Sequence, residues 1–240
     1  MNRSGSARIQ TTTRGLLLSR VPYGEADLIV HFFTDALGKI AALARGARRS
    51  QKRFGGALEP LHTLELRIEG RSSSELFTLK ESALSRTRIA LTTSLGAMET
   101  AGRALSWVKR AAPTHTPEPR VWLALQGLFD ELEQVSGLDH DSLLVAFGTQ
   151  LLDALGWGLE LSRCVSCGRP CPLGQAAWVN PERGGLICRR CGGGPVLLPG
   201  RLRTFLLALS SNPAYCSLGE HAPVGLRLVE RAMAAHMGTD

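Results

Sequence analysis

The chain has 240 residues, enough for one large domain or two to three small ones, and its 44% hydrophobic content can fill an ordinary core. No run of about 18 apolar residues occurs, which excludes a membrane-spanning helix, and the polar opening over residues 1–13 lacks the apolar centre of a secretory leader, so a cytoplasmic location is expected. The net charge of +7 sits mostly at the front: residues 1–86 hold 14 Lys/Arg against 8 Asp/Glu, while residues 87–240 hold 14 against 13. That imbalance suggests a polyanion-binding module on a near-neutral body.

The first third reads as strands. Residues 12–19 alternate around Leu16 and Leu18, residues 27–33 are rich in Leu, Ile, Val and Phe, and residues 39–44 form a short apolar run after Gly38. Residues 61–68 alternate Leu64, Leu66 and Ile68, and residues 76–79 give a fifth candidate. Turn residues separate them: Pro22-Tyr23-Gly24, residues 35–38, Gly55-Gly56 and residues 70–74. Five short strands at this spacing suit a small antiparallel barrel or sandwich, and a five-stranded barrel of this size is the OB-fold architecture, which often binds oligonucleotides.

The middle changes to a helical period. Leu95, Met98, Gly102, Leu105 and Val108 recur every three to four residues, and Trp122, Leu125, Phe129 and Leu132 repeat the pattern after a proline-bearing linker over residues 113–119. Asp141 or Ser142 can cap a third helix carrying Phe147, Leu151 and Leu155, which Gly156 and Gly158 end. Two more stripes follow, Leu202-Phe205-Leu206-Leu209 and Leu226-Val229-Met233-Met237. Such stripes are core faces before they are anything else.

Between these helices lie five of the six cysteines. Cys164-Val-Ser-Cys167-Gly168 and Cys188-Arg-Arg-Cys191-Gly192 are paired knuckles with 20 residues between Cys167 and Cys188. Two intervening residues let both sulfurs of a pair turn to one ion, and two pairs close a tetrahedral site, so Cys164, Cys167, Cys188 and Cys191 are expected to hold one structural Zn²⁺. Iron in a rubredoxin-like site is the rival. Four thiolates leave no open position for catalysis, and Arg163, Arg169, Arg189 and Arg190 stand near enough in sequence to offset their charge. Cys171 lies between Pro170 and Pro172 with no mirrored partner and reads as a free thiol, and Cys216 as a small core residue.

Residues 45–56 concentrate charge: Arg45, Arg48, Arg49, Lys52 and Arg53 fall on one connection between strand candidates, followed by Phe54. A cationic connection on a small barrel can follow a phosphate backbone, and Phe54 can stack a base or tuck into the barrel. No Walker, dinucleotide, H-E-x-x-H or G-x-S-x-G motif occurs, the histidines are scattered, and Glu25 with Asp27 suits a barrel-end role better than acid–base work, so no enzyme is expected.

Taken in order, several stretches resemble the bacterial recombination-mediator family RecO: Tyr23-Gly24-Glu25-Ala26-Asp27, Phe33-Thr34 followed by Gly38, residues 44–49, and Glu59-Pro60-Leu61. Further on, Leu151 to Trp157 leads into the first knuckle, and Gly184-Gly185-Leu186-Ile187 introduces the second. The resemblance implies an α+β chain: an OB-fold nucleic-acid-binding domain over residues 1–86, with residues 1–11 a flexible extension, and a helical domain over 87–240 with a zinc-binding insertion at 160–195. It implies binding of single- and double-stranded DNA, annealing of complementary strands, and help in loading recombinase on DNA covered by single-strand-binding protein. The partners it implies are RecR, the C-terminal tail of single-strand-binding protein and, indirectly, RecA, in a cytoplasmic, nucleoid-associated setting. A receptor for that acidic, apolar-ended tail needs an apolar groove rimmed by cations. The apolar stripe Leu202, Phe205, Leu206 and Leu209 flanked by Arg201 and Arg203, with the second stripe and Arg227 and Arg231 on the other side, is the candidate. Two other readings stand beside this one: the OB-plus-zinc portion of an NAD-dependent ligase, for which Lys52, Lys80 and Lys109 lack a following Asp-Gly, and a zinc scaffold that binds only protein.

Overall fold

The computed structural model describes residues 8–54, 58–71, 74–134, 139–209 and 217–237. By Cα proximity the chain forms two compact units, Met1–Trp122 and Leu123–Asp240.

The first unit is built on five strands, β1 (Arg8–Tyr23), β2 (Asp27–Thr34), β3 (Gly38–Ala44), β4 (Thr63–Arg71) and β5 (Leu76–Arg86). They close into a barrel of order β1-β2-β3-β5-β4, with β3 and β5 parallel and the other neighbours antiparallel. This is the five-stranded OB-type barrel. β1 is long because it serves two partners: Arg8 to Gly15 pair with β4, and Gly15 to Tyr23 pair with β2 across an irregularity between Leu17 and Ser19. Gly15 stands at the bend, where a Cβ would lie 2.5 Å from Leu66 Cδ1. Residues 8–11, expected in a flexible extension, are therefore strand, because their backbone completes the ladder with residues 68–71. Residues 1–7 lie outside the described residues.

The pleat sorts the side chains. Val30, Phe32, Ile40, Ala42, Leu64, Leu66, Ile68 and Leu79 point inward and form the core. A single-turn helix, α1 (Gln51–Phe54), lies between β3 and β4 and adds Phe54 to that core together with Leu58. Outward-facing positions of β2 and β3 meet the last turn of helix α3 (Leu95–Ala111), which follows α2 (Ile89–Thr93), and the segment after it. The Phe33 ring lies 6.1 Å from that of Trp122, Lys39 Nζ donates to the Lys109 carbonyl at 2.9 Å, and His115 N–H donates to the Lys39 carbonyl at 3.0 Å. Gly38 (φ +67°) permits this approach, since a Cβ there would fall 1.9 Å from the Thr116 carbonyl oxygen.

After α4 (Pro119–Gln134), the second unit packs α5 (His140–Ala154) against α7 (Ala222–Met237) and α6 (Gly200–Leu209). Gly225 of α7 allows close packing, because its Cβ would meet Val145 of α5 at 3.0 Å. The cap of α5 is Asp139 rather than Asp141 or Ser142: its carboxylate accepts the Ser142 N–H at 3.1 Å, three residues into the helix. Between α5 and α6 sits a small sheet of order β7-β6-β8, made of β6 (Ala177–Asn180), β7 (Gly185–Leu186) and β8 (Val196–Leu198).

Candidate metal centre and nucleic-acid interface

The sheet fixes the two knuckles beside each other. Val165 N–H donates to the Leu186 carbonyl at 2.9 Å, joining the first knuckle to β7, and the second knuckle begins two residues beyond β7. Within each knuckle the chain turns back on itself: Gly168 N–H donates to Cys164 O at 2.8 Å and Gly193 N–H to Cys188 O at 3.1 Å. Gly168 (φ +72°) and Gly192 (φ +101°) take the left-handed conformation that the trailing glycines of the sequence suggested.

The sulfurs of Cys164, Cys167, Cys188 and Cys191 all lie within 4.8 Å of one another, and among the described residues they form the one cluster of this kind. Cys167 and Cys188 stand 3.8 Å apart, Sγ to Sγ, the separation that two ligands about 2.3 Å from a tetrahedral ion would have. Cys164 is buried and accepts the Cys188 N–H at 3.3 Å. Donated amides, the one from Cys188 foremost, hold its thiol down to about 6. Cys191 is pushed up to about 12, chiefly through its contacts with the Cys188 and Cys167 sulfurs. A thiolate in this group therefore makes the next one harder to form, and a cation among the four sulfurs reverses that opposition. The donor set fits a four-coordinate metal. Cys171 packs at the edge of the cluster outside the four, and Cys216 lies outside the described residues.

The candidate partner groove is rearranged. Leu202, Leu206 and Leu209 of α6 and Leu226 and Met233 of α7 are buried, so the stripe is core. Arg203, expected at a cationic rim, is fully buried at 0% exposure. Its guanidinium donates to the carbonyls of Leu161 at 2.7 Å, Gln175 at 3.0 Å and Pro172, three points on the cysteine-bearing segment. The reason is that this segment folds back over α6, converting an apparent surface position into an interior one. Arg201, Arg227 and Arg231 are exposed and Phe205 is half-buried. Between α5, α6 and α7 remains a cavity of about 40 Å³ lined by Leu152, Leu206, Leu228 and Val229.

The cationic connection lies at the end of the barrel where β1, β2 and β3 meet. The tip of the β1–β2 hairpin holds it: Asp27 Oδ1 accepts Gly46 N–H at 2.7 Å and Ala26 O accepts Arg48 N–H at 3.0 Å. Arg53 Nη2 donates to the Arg45 carbonyl at 2.8 Å, closing the turn on itself. Arg45, Arg48, Arg49 and Arg53 are exposed, while the side chain of Lys52 lies outside the described residues. Phe54 is 3% exposed. Its ring belongs to the barrel core, with the Arg53 guanidinium 5.2 Å from its centroid, and it also borders the cavity beside Arg48 and Arg49.

Residues that sequence reading passed over complete this surface. Arg20, near the end of β1, donates to Leu58 O and Glu59 Oε1, each at 2.9 Å, and borders a cavity of about 510 Å³ with Arg48 and Arg49. Its position beside them depends on barrel register, which no local pattern reveals. On the outer side of β2 and β3, His31, Lys39 and Lys109 crowd together. Burial first, then Lys109 and Lys39, pushes the His31 imidazole down, and burial and Lys109 do the same to Lys39. The 70-residue separation of Lys39 and Lys109 hides that cluster in the sequence.

Two family models match the chain. The one described as "Recombination protein O N terminal" covers residues 8–88, and "Recombination protein O C terminal" covers residues 94–238. The chain is 34% identical over 227 residues to the DNA repair protein RecO of Anaeromyxobacter sp. (strain K), spanning 93% of this chain and 88% of that protein. It is 33% identical over 244 residues to the DNA repair protein RecO of Desulfatibacillum aliphaticivorans, spanning 95% and 93%. To that of Geobacter sulfurreducens it is 33% identical over 177 residues, spanning 74% and 71%.

Proposed function

The chain belongs to the RecO family of DNA repair proteins, and on that premise we propose that it is a non-catalytic recombination mediator that binds single- and double-stranded DNA and anneals complementary strands. The observation that carries this reading is the turn of exposed arginines, Arg45, Arg48, Arg49 and Arg53, fixed by hydrogen bonds at one end of a closed OB-type barrel. Cations held on a rigid frame neutralise phosphates without reading base sequence, which suits a protein that must act on any strand.

In this reading residues 1–86 are the nucleic-acid module and residues 87–240 the helical body with its insertion at 160–195. Cys164, Cys167, Cys188 and Cys191 would hold one structural Zn²⁺, which would supply a cross-link between the two knuckles rather than a site for substrate. Within that module Arg203 ties the cysteine-bearing segment to α6, and Val165 ties the first knuckle to β7. The helical body receives the acidic tail of single-strand-binding protein, with exposed Arg201, Arg227 and Arg231 as the cations available to it. RecR is the direct partner and RecA the indirect beneficiary, in the cytoplasm at the nucleoid. No described helix is long and apolar enough to cross a membrane.

The test is annealing of complementary oligonucleotides, followed by fluorescence quenching, with no nucleoside triphosphate present. Acceleration over the spontaneous rate is expected, and an unchanged rate at saturating protein would overturn the reading.

A further inference from the structure

We propose that the cavity at the end of the barrel receives one unstacked base of a single strand, with the phosphates on either side of that base resting on the arginines of its rim. The inference rests on the DNA-binding reading above and adds a subsite to it.

A strand segment with one base turned aside presents a flat apolar ring with a polar edge, flanked by two negative charges. The cavity offers the complement. Pro22, Leu28, Leu58 and the buried Phe54 supply apolar surface, and Arg20, Arg48 and Arg49 supply positive charge around it. Its volume of about 510 Å³ is in the usual range for pockets that enclose small molecules, roughly 300–1,000 Å³. Ser50 and Glu59 also line it and give polar atoms to the base edge.

Two of the three arginines, Arg48 and Arg49, are free to change partners, while Arg20 is held by Leu58 O and Glu59. Arg49 Nη2 stands 3.8 Å from Glu25 Oε2 with the two side chains 72% and 93% exposed, and Arg48 Nη1 donates to the Glu25 carbonyl at 3.3 Å. Contacts this exposed hold a side chain weakly, so a phosphate can replace them. Guanidinium groups suit the task twice over, since they bind phosphate oxygens in pairs and lie flat on bases.

The alternative route for a strand is obstructed. OB-type barrels commonly lay nucleic acid across the outer side of β2 and β3. Here that side is in contact with the chain's own Trp122 at Phe33 and with Lys109, Thr114 and His115 at Lys39. An acidic peptide with an apolar end also matches a cationic rim. It would bring further carboxylates to Glu59, which is 50% exposed, whereas a base edge can bring an amino donor.

The experiment compares the full chain's affinity for a labelled single strand with that for the same strand carrying abasic sites, which keeps every phosphate. Binding to the abasic strand is expected to be weaker by on the order of tenfold, with the same salt dependence. Ala47→Trp, or Pro22→Trp if the first variant does not fold, fills the cavity and keeps all the cations, and is expected to abolish the difference between the two strands. Equal affinities for both strands in the unmodified protein overturn the pocket and leave the phosphate-binding reading standing. A difference that survives in the filled, folded variant also overturns it. Failure to bind either strand overturns the DNA-binding reading itself. Displacement of the strand by an acidic peptide in the unmodified protein but not the filled one, with equal affinities for both strands, would assign the cavity to a peptide instead.

Discussion

Asp27 Oδ1 accepts the backbone N–H of Gly46 at 2.7 Å, so the first residue of β2 fixes the turn that carries the basic cluster. Gly46 adopts φ +66°, a conformation that the hydrogen bond holds in place. Asp27→Ala removes the acceptor without touching a cation. The expected result is a loss of about 1–3 kcal/mol of stability and a lower affinity for DNA with an unchanged salt slope, measured by urea denaturation and by anisotropy titration. An unchanged affinity would mean that the turn needs no support.

The arginines themselves should set the salt slope. Each lost phosphate contact lowers the slope of log K against log salt by about 0.7 on single strands. A variant with Arg48, Arg49 and Arg53 replaced by Ala is therefore expected to bind more weakly and with a slope reduced by up to about 2. Because Arg53 also donates to the Arg45 carbonyl, Arg53→Lys provides the control: it keeps the charge and loses the planar donor. If the triple variant keeps both affinity and slope, the cluster is only a solvated turn.

Local patterns made much of this legible. The alternation in β3 and β4, the paired cysteines with their glycines, and the charge density at residues 45–53 are properties of neighbouring residues, and the structure keeps each of them. What escaped depends on contacts distant in sequence. Arg203 looked like a rim residue because it stands next to Leu202 in a helical stripe, yet Leu161, Pro172 and Gln175 fold over it from 28 to 42 residues away. Residues 8–11 are polar apart from Ile9, and pairing with β4 makes them a strand. Arg20 joins Arg48 and Arg49 through the pairing of β1, β2 and β3.

Metal removal tests the cysteine cluster. Freshly purified protein is expected to carry one tightly held ion per set of Cys164, Cys167, Cys188 and Cys191, found by elemental analysis. Structural zinc contributes on the order of 10 kcal/mol in small isolated fingers, and less where helices already supply a core. Chelation or Cys188→Ser should therefore expose amides of the β6–β8 sheet to hydrogen exchange while the barrel stays protected. Protein free of metal after gentle purification would exclude the site.

Arg203 should matter to the metal without touching it. Three backbone carbonyls lose their donor in Arg203→Met, and a buried carbonyl without a partner costs about 1–3 kcal/mol. The variant is expected to unfold at lower urea and to release its metal to a coloured chelator several times faster. Arg203→Lys should recover only part of the loss, since a single ammonium cannot span three separated carbonyls. Metal release at the unmodified rate would show that α6 and the cysteine segment are not coupled through this side chain.

Acid should loosen the start of α5 through Asp139. Burial pushes its carboxyl up, but hydrogen bonds from Ser142 Oγ and N–H, from Ser217 Oγ at 2.9 Å and from Gly219 N–H at 3.2 Å outweigh that and hold it below the ordinary 3.8. A carboxyl with a depressed folded pKa stabilises the fold fully above its unfolded value and loses that contribution as pH falls through the folded one. The window therefore opens near pH 3.8 and extends downward. Asp139→Asn keeps an oxygen for the Ser142 N–H but has no charge to lose, and its amide cannot accept from all four donors. At neutral pH it should be less stable by about 1 kcal/mol, and the gap should narrow as pH falls through that window. Urea midpoints of the two proteins between pH 7 and pH 3 measure this directly. A gap that stays constant with pH would show that the Asp139 hydrogen bonds do not depend on its charge.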